Sequence, residues 1–168
     1  MSTRCNIHFC HGDEVVANIY RHSDGYPGKI VKGEAREYGV LADLLTFFWL
    51  VKTEVQDNRF DHAEYLAAKF LVWQSQQNTK YSVRCEFNED GEYVPVEEPH
   101  YLNFLSVCPC TEDHRDIEYV YEVDCEKRDR EGFPAIRVRQ AIPFAGPGVQ
   151  PKRWRTVYLC GKPRKRAA

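Results

Sequence analysis

Six side chains near the start of the sequence could bind or transform a small anionic ligand. They combine an arginine, two imidazoles, two phenols and a carboxylate, and they are Arg4, His8, Tyr20, His22, Asp24 and Tyr26. An arginine fork recognises phosphate or carboxylate, and histidine is the usual proton-transfer group near neutral pH. The set would suit binding of a nucleotide or phosphodiester, or a hydrolysis that uses His8 or His22 with Asp24.

These side chains are positioned by two segments that alternate between apolar and polar residues, which predicts a β-hairpin. A two-residue turn at Gly12-Asp13 would set Phe9 opposite Val16 and mix the two faces. We therefore expect a three-residue loop, Gly12 to Glu14, because it keeps one face apolar. That face then carries Cys5, Ile7, Phe9, Val15, Ala17 and Ile19. The opposite, polar face carries Arg4, Asn6, His8, Cys10, Asn18, Tyr20 and His22.

The loop after the hairpin contains two turn dipeptides, Asp24-Gly25 and Pro27-Gly28, so its backbone is sharply specified. Loops held by a rigid scaffold often carry binding or catalytic groups. A structural role is equally open at this point: Asp24 would cap the turn, Tyr26 would pack on Pro27, and the histidines would face solvent.

Helical spacing of apolar residues such as Leu44 and Phe48 predicts a helix with a buried stripe over residues 38–52. A second helix is predicted to begin near Asp61 and to end in the polar run 74–78. Trp49 falls outside the buried stripe of the first helix, so it could anchor a homo-oligomer. The second half of the chain predicts strands over 81–87, 93–96, 103–108, 117–124, 135–142 and 155–160.

This order predicts an α+β fold with an N-terminal β-hairpin, two helices and then a mainly antiparallel sheet. The length of 168 residues favours a single domain, 1–168, ending in a basic segment, 152–168.

The charge is distributed unevenly along the chain, although the net charge is only −2. Residues 1–151 carry 16 Lys or Arg and 25 Asp or Glu, whereas the segment from Lys152 carries seven bases and no acid. A basic end can contact nucleic acid, lie against its own acidic domain or remain solvated. The candidate contacts to nucleic acid are Lys152, Arg153, Arg155, Arg164, Lys165 and Arg166.

The composition bears on two properties of the protein, membrane insertion and the redox state of its cysteines. No apolar run approaches the roughly 20 residues of a membrane span, and the first residues lack the apolar core of a signal peptide. The number of cysteines, seven, is odd and no signal peptide is present, which predicts reduced thiols in a cytoplasmic protein. Paired Cys-x-x-Cys motifs are absent from the sequence, so we expect no metal site, and we expect no cofactor. Catalysis by Cys10, Cys108 or Cys110 with a histidine such as His8 or His114 is a weaker alternative.

Three segments of the sequence resemble small uncharacterised proteins of bacteria, prophages and phages. These proteins have an N-terminal Thr-Arg strand, a Tyr-x-x-x-Asp-Gly-Tyr-Pro segment, a Leu-rich helix and a late acidic-aromatic strand. Here the matching segments are Thr3-Arg4, Ile19–Pro27 and Asp116–Val123. The resemblance implies a mobile-element context and carries no activity.

Together these observations predict a non-catalytic binding or accessory protein of mobile-element type that engages a protein or a small anionic, nucleotide-like ligand. The alternative is a metal-dependent or His/Asp hydrolase acting on nucleotides or nucleic acid. We expect acidic pairs such as Asp113 and Asp116 to mark solvated surface.

Overall fold

The computed structural model describes residues 3–28, 30–31, 34–35, 38–53, 60–81, 84–96, 105–114, 116–142 and 153–159. The helices are α1 (Val40–Thr53) and α2 (Ala63–Tyr81). The strands are β1 (Cys5–His11), β2 (Glu14–Arg21), β3 (Ile30–Val31), β4 (Glu34–Ala35), β5 (Arg84–Phe87), β6 (Tyr93–Val96), β7 (Leu105–Cys108), β8 (Tyr119–Arg128), β9 (Pro134–Ile142) and β10 (Arg153–Leu159).

The main sheet has six strands in the order β10-β9-β8-β1-β2-β7. Strand β1 pairs with β8 in parallel, and the other neighbours in this sheet pair antiparallel. Two further hairpins, β3–β4 and β5–β6, lie outside it. The predicted α+β fold, with its N-terminal hairpin, two helices and mainly antiparallel sheet, is confirmed.

The register of the hairpin agrees with the predicted separation of faces, but the turn differs. Ile7 pairs with Ile19 and Phe9 with Ala17, as expected. The turn has two residues because His11 pairs with Glu14, and a bulge on β2 then restores the register. The bulge makes the prediction for Val15 wrong: Val15 pairs with Cys10, and its neighbour Val16 packs against the core instead.

The apolar face of the sheet packs against both helices. Phe9 contacts Phe70 of α2, and Phe47 of α1 contacts the same ring at 5.4 Å between centroids. Predicted core positions of α1 such as Leu44 and Phe48 are fully buried, while Trp49 is 58% exposed. Burial of an aromatic side chain stabilises the fold by about 1.5–3 kcal/mol, so this aromatic contact holds the two helices to the sheet.

Helix α2 starts later and runs further than expected. It begins at Ala63, with the Leu66 amide donating to the His62 carbonyl, so His62 rather than Asp61 precedes the first turn. It continues through the polar run 74–78 to Tyr81, and the strand predicted from residue 81 begins at Arg84. Gln74 is buried rather than solvated. Glutamine has a good helix propensity, so a run of polar residues does not by itself end a helix.

Candidate functional site

The polar face of the hairpin lies beneath a second piece of the chain, residues 109–114 with Asp116, which we term the crossing segment. The Asn18 side-chain amide donates to the carbonyls of Pro109 and Glu112, each at 3.0 Å. Asn6 in turn donates to the Asn18 side-chain oxygen at 2.6 Å. Both asparagines are buried, and a buried amide is stable only when it finds such partners.

The carboxylate of Asp116 joins side chains from three parts of the chain. Arg4 Nη1 lies 2.5 Å from Asp116 Oδ2, and His114 Nδ1 lies 2.6 Å from Oδ1. The Tyr20 hydroxyl donates to Oδ1 at 3.3 Å. An ionised carboxylate only accepts hydrogen bonds, so His114 must carry its proton on Nδ1. We refer to Arg4, Tyr20, His22, His114 and Asp116 as the Asp116 cluster.

Tyr20 lies at the centre of the cluster, between two imidazoles. Its ring stacks on His114 with centroids 4.1 Å apart, and its hydroxyl lies 3.2 Å from His22 Nδ1. A phenol has one proton and gives it to Asp116, so His22 Nδ1 must donate to the hydroxyl. Burial, followed by the negative charge of Asp116, raises the pKa of Tyr20 to about 12. The phenol therefore acts as a neutral hydrogen-bonding group at physiological pH.

His8 is held apart from the cluster. Its Nε2 lies 2.6 Å from Asp113 Oδ1, and the imidazole is nearly covered by the crossing segment. In register, His8 lies between Asn18 of β2 and Glu122 of β8. The crossing segment therefore contributes two carboxylates to two histidines: Asp113 to His8 and Asp116 to His114.

The loop that carries Asp24 and Tyr26 forms a structural corner. Gly25 N donates to the Thr3 carbonyl, and the Tyr121 hydroxyl donates to the Gly25 carbonyl, both at 2.9 Å. A Cβ at Gly25 would lie 2.7 Å from the backbone carbon of Arg4, so close approach of two backbones requires glycine there. The positive φ of the turn, 53°, falls on Asp24 rather than on Gly25.

Tyr26 and Asp24 both have exposed side chains beside this corner. The Tyr26 carbonyl accepts from Val40 N at 3.0 Å, so the loop also orients the first turn of α1. Thus the structure brings Arg4, Tyr20 and His22 together, covers His8, and leaves Asp24 and Tyr26 at the surface of the adjoining turn.

Sequence reasoning missed the role of Asp116 and named His114 only as a possible partner of a catalytic cysteine. Asp116 was expected at solvated surface, yet its side chain is only 13% exposed and holds three partners. The usable signal was the spacing Asp113-His114-x-Asp116, in which acids flank an imidazole within four residues. The alternation of polar and apolar residues could not reveal the role of Asp116, because residues 113–116 lie in a loop rather than in a strand.

Five cysteines are free thiols, and three of these are buried in the interior. The free thiols are Cys5, Cys10, Cys108, Cys110 and Cys125. Cys5, Cys10 and Cys125 are buried, and burial is the largest cause that raises the pKa of each thiol to about 12. These three behave as small hydrophobic side chains rather than as nucleophiles. In the described part of the chain, no group of three or more His, Cys, Asp or Glu residues could hold a metal ion.

The basic C-terminal segment is described only in part. Arg153 and Arg155 are exposed on the edge strand β10, whereas Lys152, Arg164, Lys165 and Arg166 lie outside the described residues. Neither α1 nor α2 is long and apolar enough to cross a membrane, and the described residues contain no other helix.

Comparison of the chain with protein-family models, with curated proteins and with solved structures finds no match.

Proposed function

We propose that the protein is a binding or accessory protein of mobile-element type that engages a protein or a small anionic, nucleotide-like ligand at the Asp116 cluster. The observation that carries this proposal is the Asp116 carboxylate, which orders one arginine, one phenol and one imidazole around a single point. Groups held in this way lose little side-chain entropy when a ligand binds.

His114 and Arg4 are the groups that would contact an anionic ligand. The His114 side chain is 48% exposed, and because Nδ1 is held by Asp116, Nε2 is the nitrogen that can reach a ligand. Arg4 is 24% exposed and stands on the other side of the carboxylate. A phosphate that bridges the two would receive charge-assisted hydrogen bonds from both once His114 is protonated.

The test is calorimetric titration of the full chain with pyrophosphate and with nucleoside mono-, di- and triphosphates. His114→Ala should weaken binding at least tenfold. His62→Ala is the matched control, since His62 is an exposed imidazole paired with Asp61 at the start of α2. No saturable binding by any of these probes, or equal affinity in the two variants, would remove a small anion as the ligand of the cluster.

A protein ligand is tested separately. Affinity capture from a host lysate with the wild-type chain, compared with Arg4→Ala, should recover a protein that the variant loses. Recovery of the same proteins by both baits would remove the cluster as a protein-binding site, provided that both baits unfold at the same temperature.

The alternative function is a metal-dependent or His/Asp hydrolase. The specific observation in its favour is that two histidine–aspartate pairs, His8–Asp113 and His114–Asp116, both take their aspartate from the crossing segment. A carboxylate orients an imidazole and stabilises its protonated form, as a general base requires. Turnover of nucleotides or single-stranded nucleic acid, with and without Mg²⁺, that is lost in His114→Ala would establish it; saturable binding without turnover would establish the binding protein.

Cytoplasmic location and self-association are further parts of the proposal. The interior thiols Cys5, Cys10 and Cys125 fit a reducing compartment.

Trp49 is a large apolar side chain left at the surface of α1, which suits a contact between copies. Light scattering on the wild-type chain and on Trp49→Ala tests the homo-oligomer: a mass near 19.6 kDa for both would remove it.

A further inference from the structure

The two strands at one edge of the main sheet carry arginine as their only charged residue type. Strand β9 reads PAIRVRQAI and strand β10 reads RWRTVYL, so together they hold four arginines and no Asp or Glu. We refer to Arg137, Arg139, Arg153 and Arg155 as the arginine edge. Only Arg153 and Arg155 belong to the basic C-terminal segment, 152–168, and the pairing of β9 with β10 adds Arg137 and Arg139 to them.

The pairing of the two strands distributes the arginines over both sides of the edge. Arg153 pairs with Ile142 and Arg155 with Gln140, so both lie on one face of the sheet. Arg139 pairs with Thr156, which places Arg139 and Arg137 on the opposite face, since side chains alternate along a strand. Strand β10 is the last strand of the sheet, and cations therefore line the edge on both sides.

The positive charge of this edge is only partly neutralised. One carboxylate, Glu122 of β8, contacts both Arg137 and Arg139, with Arg139 Nη2 at 2.7 Å from its Oε1. Arg155 donates to a neutral group, the Gln140 side-chain oxygen, at 2.7 Å. Within the described ranges neither Arg153 nor Arg155 contacts an acid. The four arginines and Glu122 thus sum to about three positive charges at neutral pH.

Two of the guanidinium groups are held in place before any partner arrives. The Arg139 guanidinium lies 5.4 Å from the Trp154 ring centroid, and Trp154 packs on the cluster of Tyr20 and Val120. Arg155 is oriented by Gln140, whose amide donates to the Tyr119 hydroxyl at 3.0 Å. Ordered guanidinium groups present their donors in fixed directions and lose less entropy per contact.

We propose that the arginine edge binds the phosphate backbone of a nucleic acid. Arginine forks match phosphate geometry, and side chains two positions apart on a strand are spaced about 6.6–6.8 Å, which suits a chain of phosphates. In sequence, Lys152 directly precedes β10, and four further bases follow the strand: Lys162, Arg164, Lys165 and Arg166.

An anionic membrane surface is the less suitable partner. Membrane-surface segments combine bases with apolar side chains that insert among the lipids. Among the residues whose side-chain exposure is described, the exposed large apolar side chains are Tyr26, Tyr38, Trp49, Val72 and Val107, and none of these five lies on β9 or β10. Trp154 of β10 is partly buried against Tyr20 and Val120, so the part of the edge whose exposure is described offers charge and donors and no exposed large apolar side chain.

The experiment is fluorescence anisotropy of a labelled single-stranded DNA of about 20 nucleotides, titrated with the full chain at several NaCl concentrations. The test variant is Arg153→Gln with Arg155→Gln, and its matched control is Lys127→Gln with Arg130→Gln, which removes one base near the end of β8 and one from the turn that follows. For single strands the slope of log affinity against log salt is about 0.7 per phosphate contact, so the test variant should lose about 1.4 from that slope. The affinity of the test variant for DNA should fall about tenfold or more in low salt. The control variant should keep the slope and the affinity of the wild type.

Three results would overturn the proposal: no salt-dependent DNA binding by the wild type, equal slopes for test and control variants, or binding to vesicles containing phosphatidylserine without binding to DNA. Neutralising Lys162, Arg164, Lys165 and Arg166 distinguishes the edge from the residues that follow it. If that variant alone loses all binding while the Arg153/Arg155 variant keeps its slope, the edge is not the site. His114→Ala should leave the slope unchanged, so this outcome is independent of the Asp116 cluster.

Discussion

The Arg4 guanidinium lies 2.5 Å from the Asp116 carboxylate, although 112 positions separate the two residues in the chain. The backbone reinforces the contact, because Glu118 N donates to the Arg4 carbonyl at 2.9 Å just before the parallel pairing of β1 with β8 begins. The ion pair therefore joins the start of the hairpin to the entry of β8, and it fixes the crossing segment over the polar face.

Asp116→Asn should lower the free energy of unfolding by about 1–2 kcal/mol. The amide cannot accept from Arg4 and His114 as a carboxylate does, and it leaves a largely buried guanidinium without its counter-charge. Chemical denaturation measures the loss. Glu89→Gln in the exposed β5–β6 turn is the control and should change stability by less than about 0.5 kcal/mol. Equal losses of stability in the two variants would mean that Asp116 does not hold the crossing segment in place.

Gly25→Ala should destabilise the protein by about 2–3 kcal/mol. The added Cβ would lie 2.7 Å from Arg4 C and 2.8 Å from Cys5 N, and backbone atoms cannot move aside cheaply. In Gly91→Ala the new Cβ meets nothing within 4 Å, so that variant should lose only about 1 kcal/mol from its positive φ. Thermal unfolding of both variants tests the difference, and a smaller loss at Gly25 than at Gly91 would contradict it.

Raising the pH from 10 to 12 should destabilise the wild-type chain more than Tyr20→Phe. The pKa of Tyr20 is raised by burial and by Asp116 from 10.0 to about 12. Because the folded pKa exceeds the unfolded one, the stabilisation is fully present below pH 10 and is lost as the pH rises through about 12. The difference between the variants should reach about 1–2 kcal/mol, measured by urea unfolding at several pH values.

The control for this pH dependence is Tyr38→Phe, since the Tyr38 side chain is 91% exposed. The stability of this variant should depend on pH in the same way as that of the wild type between about pH 10 and 12. If Tyr20→Phe shows the same pH dependence as the wild type, the phenol of Tyr20 is not a buried neutral group.

Thiol labelling should separate the interior cysteines from the surface one. Cys110 is exposed, whereas Cys5 and Cys125 are fully buried with the pKa of each thiol raised to about 12. Iodoacetamide at pH 8 should modify Cys110 within minutes and spare the other two until the protein unfolds, because the thiolate is the reactive form. Peptide mass spectrometry with and without urea measures this; rapid native labelling of Cys5 or Cys125 would contradict the burial.

Local pattern was enough to predict much of the architecture. The alternation around Ile7 and Phe9 predicted which residues of the hairpin share a face, and the helical spacing of Leu44 and Phe48 predicted α1. Both patterns reflect burial of one side of a single element, so they can be read within a window of a few residues. The bulge at Val16 and the length of α2 depend on neighbouring elements, and pattern did not reveal them.

By itself, the sequence determined the hairpin with its polar face, the two helices and the α+β class. Only the tertiary structure decided that residues 109–114 and Asp116 cross that polar face, and that Arg137 and Arg139 join the C-terminal arginines at one edge. The physical reason is that these contacts join segments far apart in the chain. Their pairing follows from how the sheet assembles as a whole, and no local periodicity encodes it.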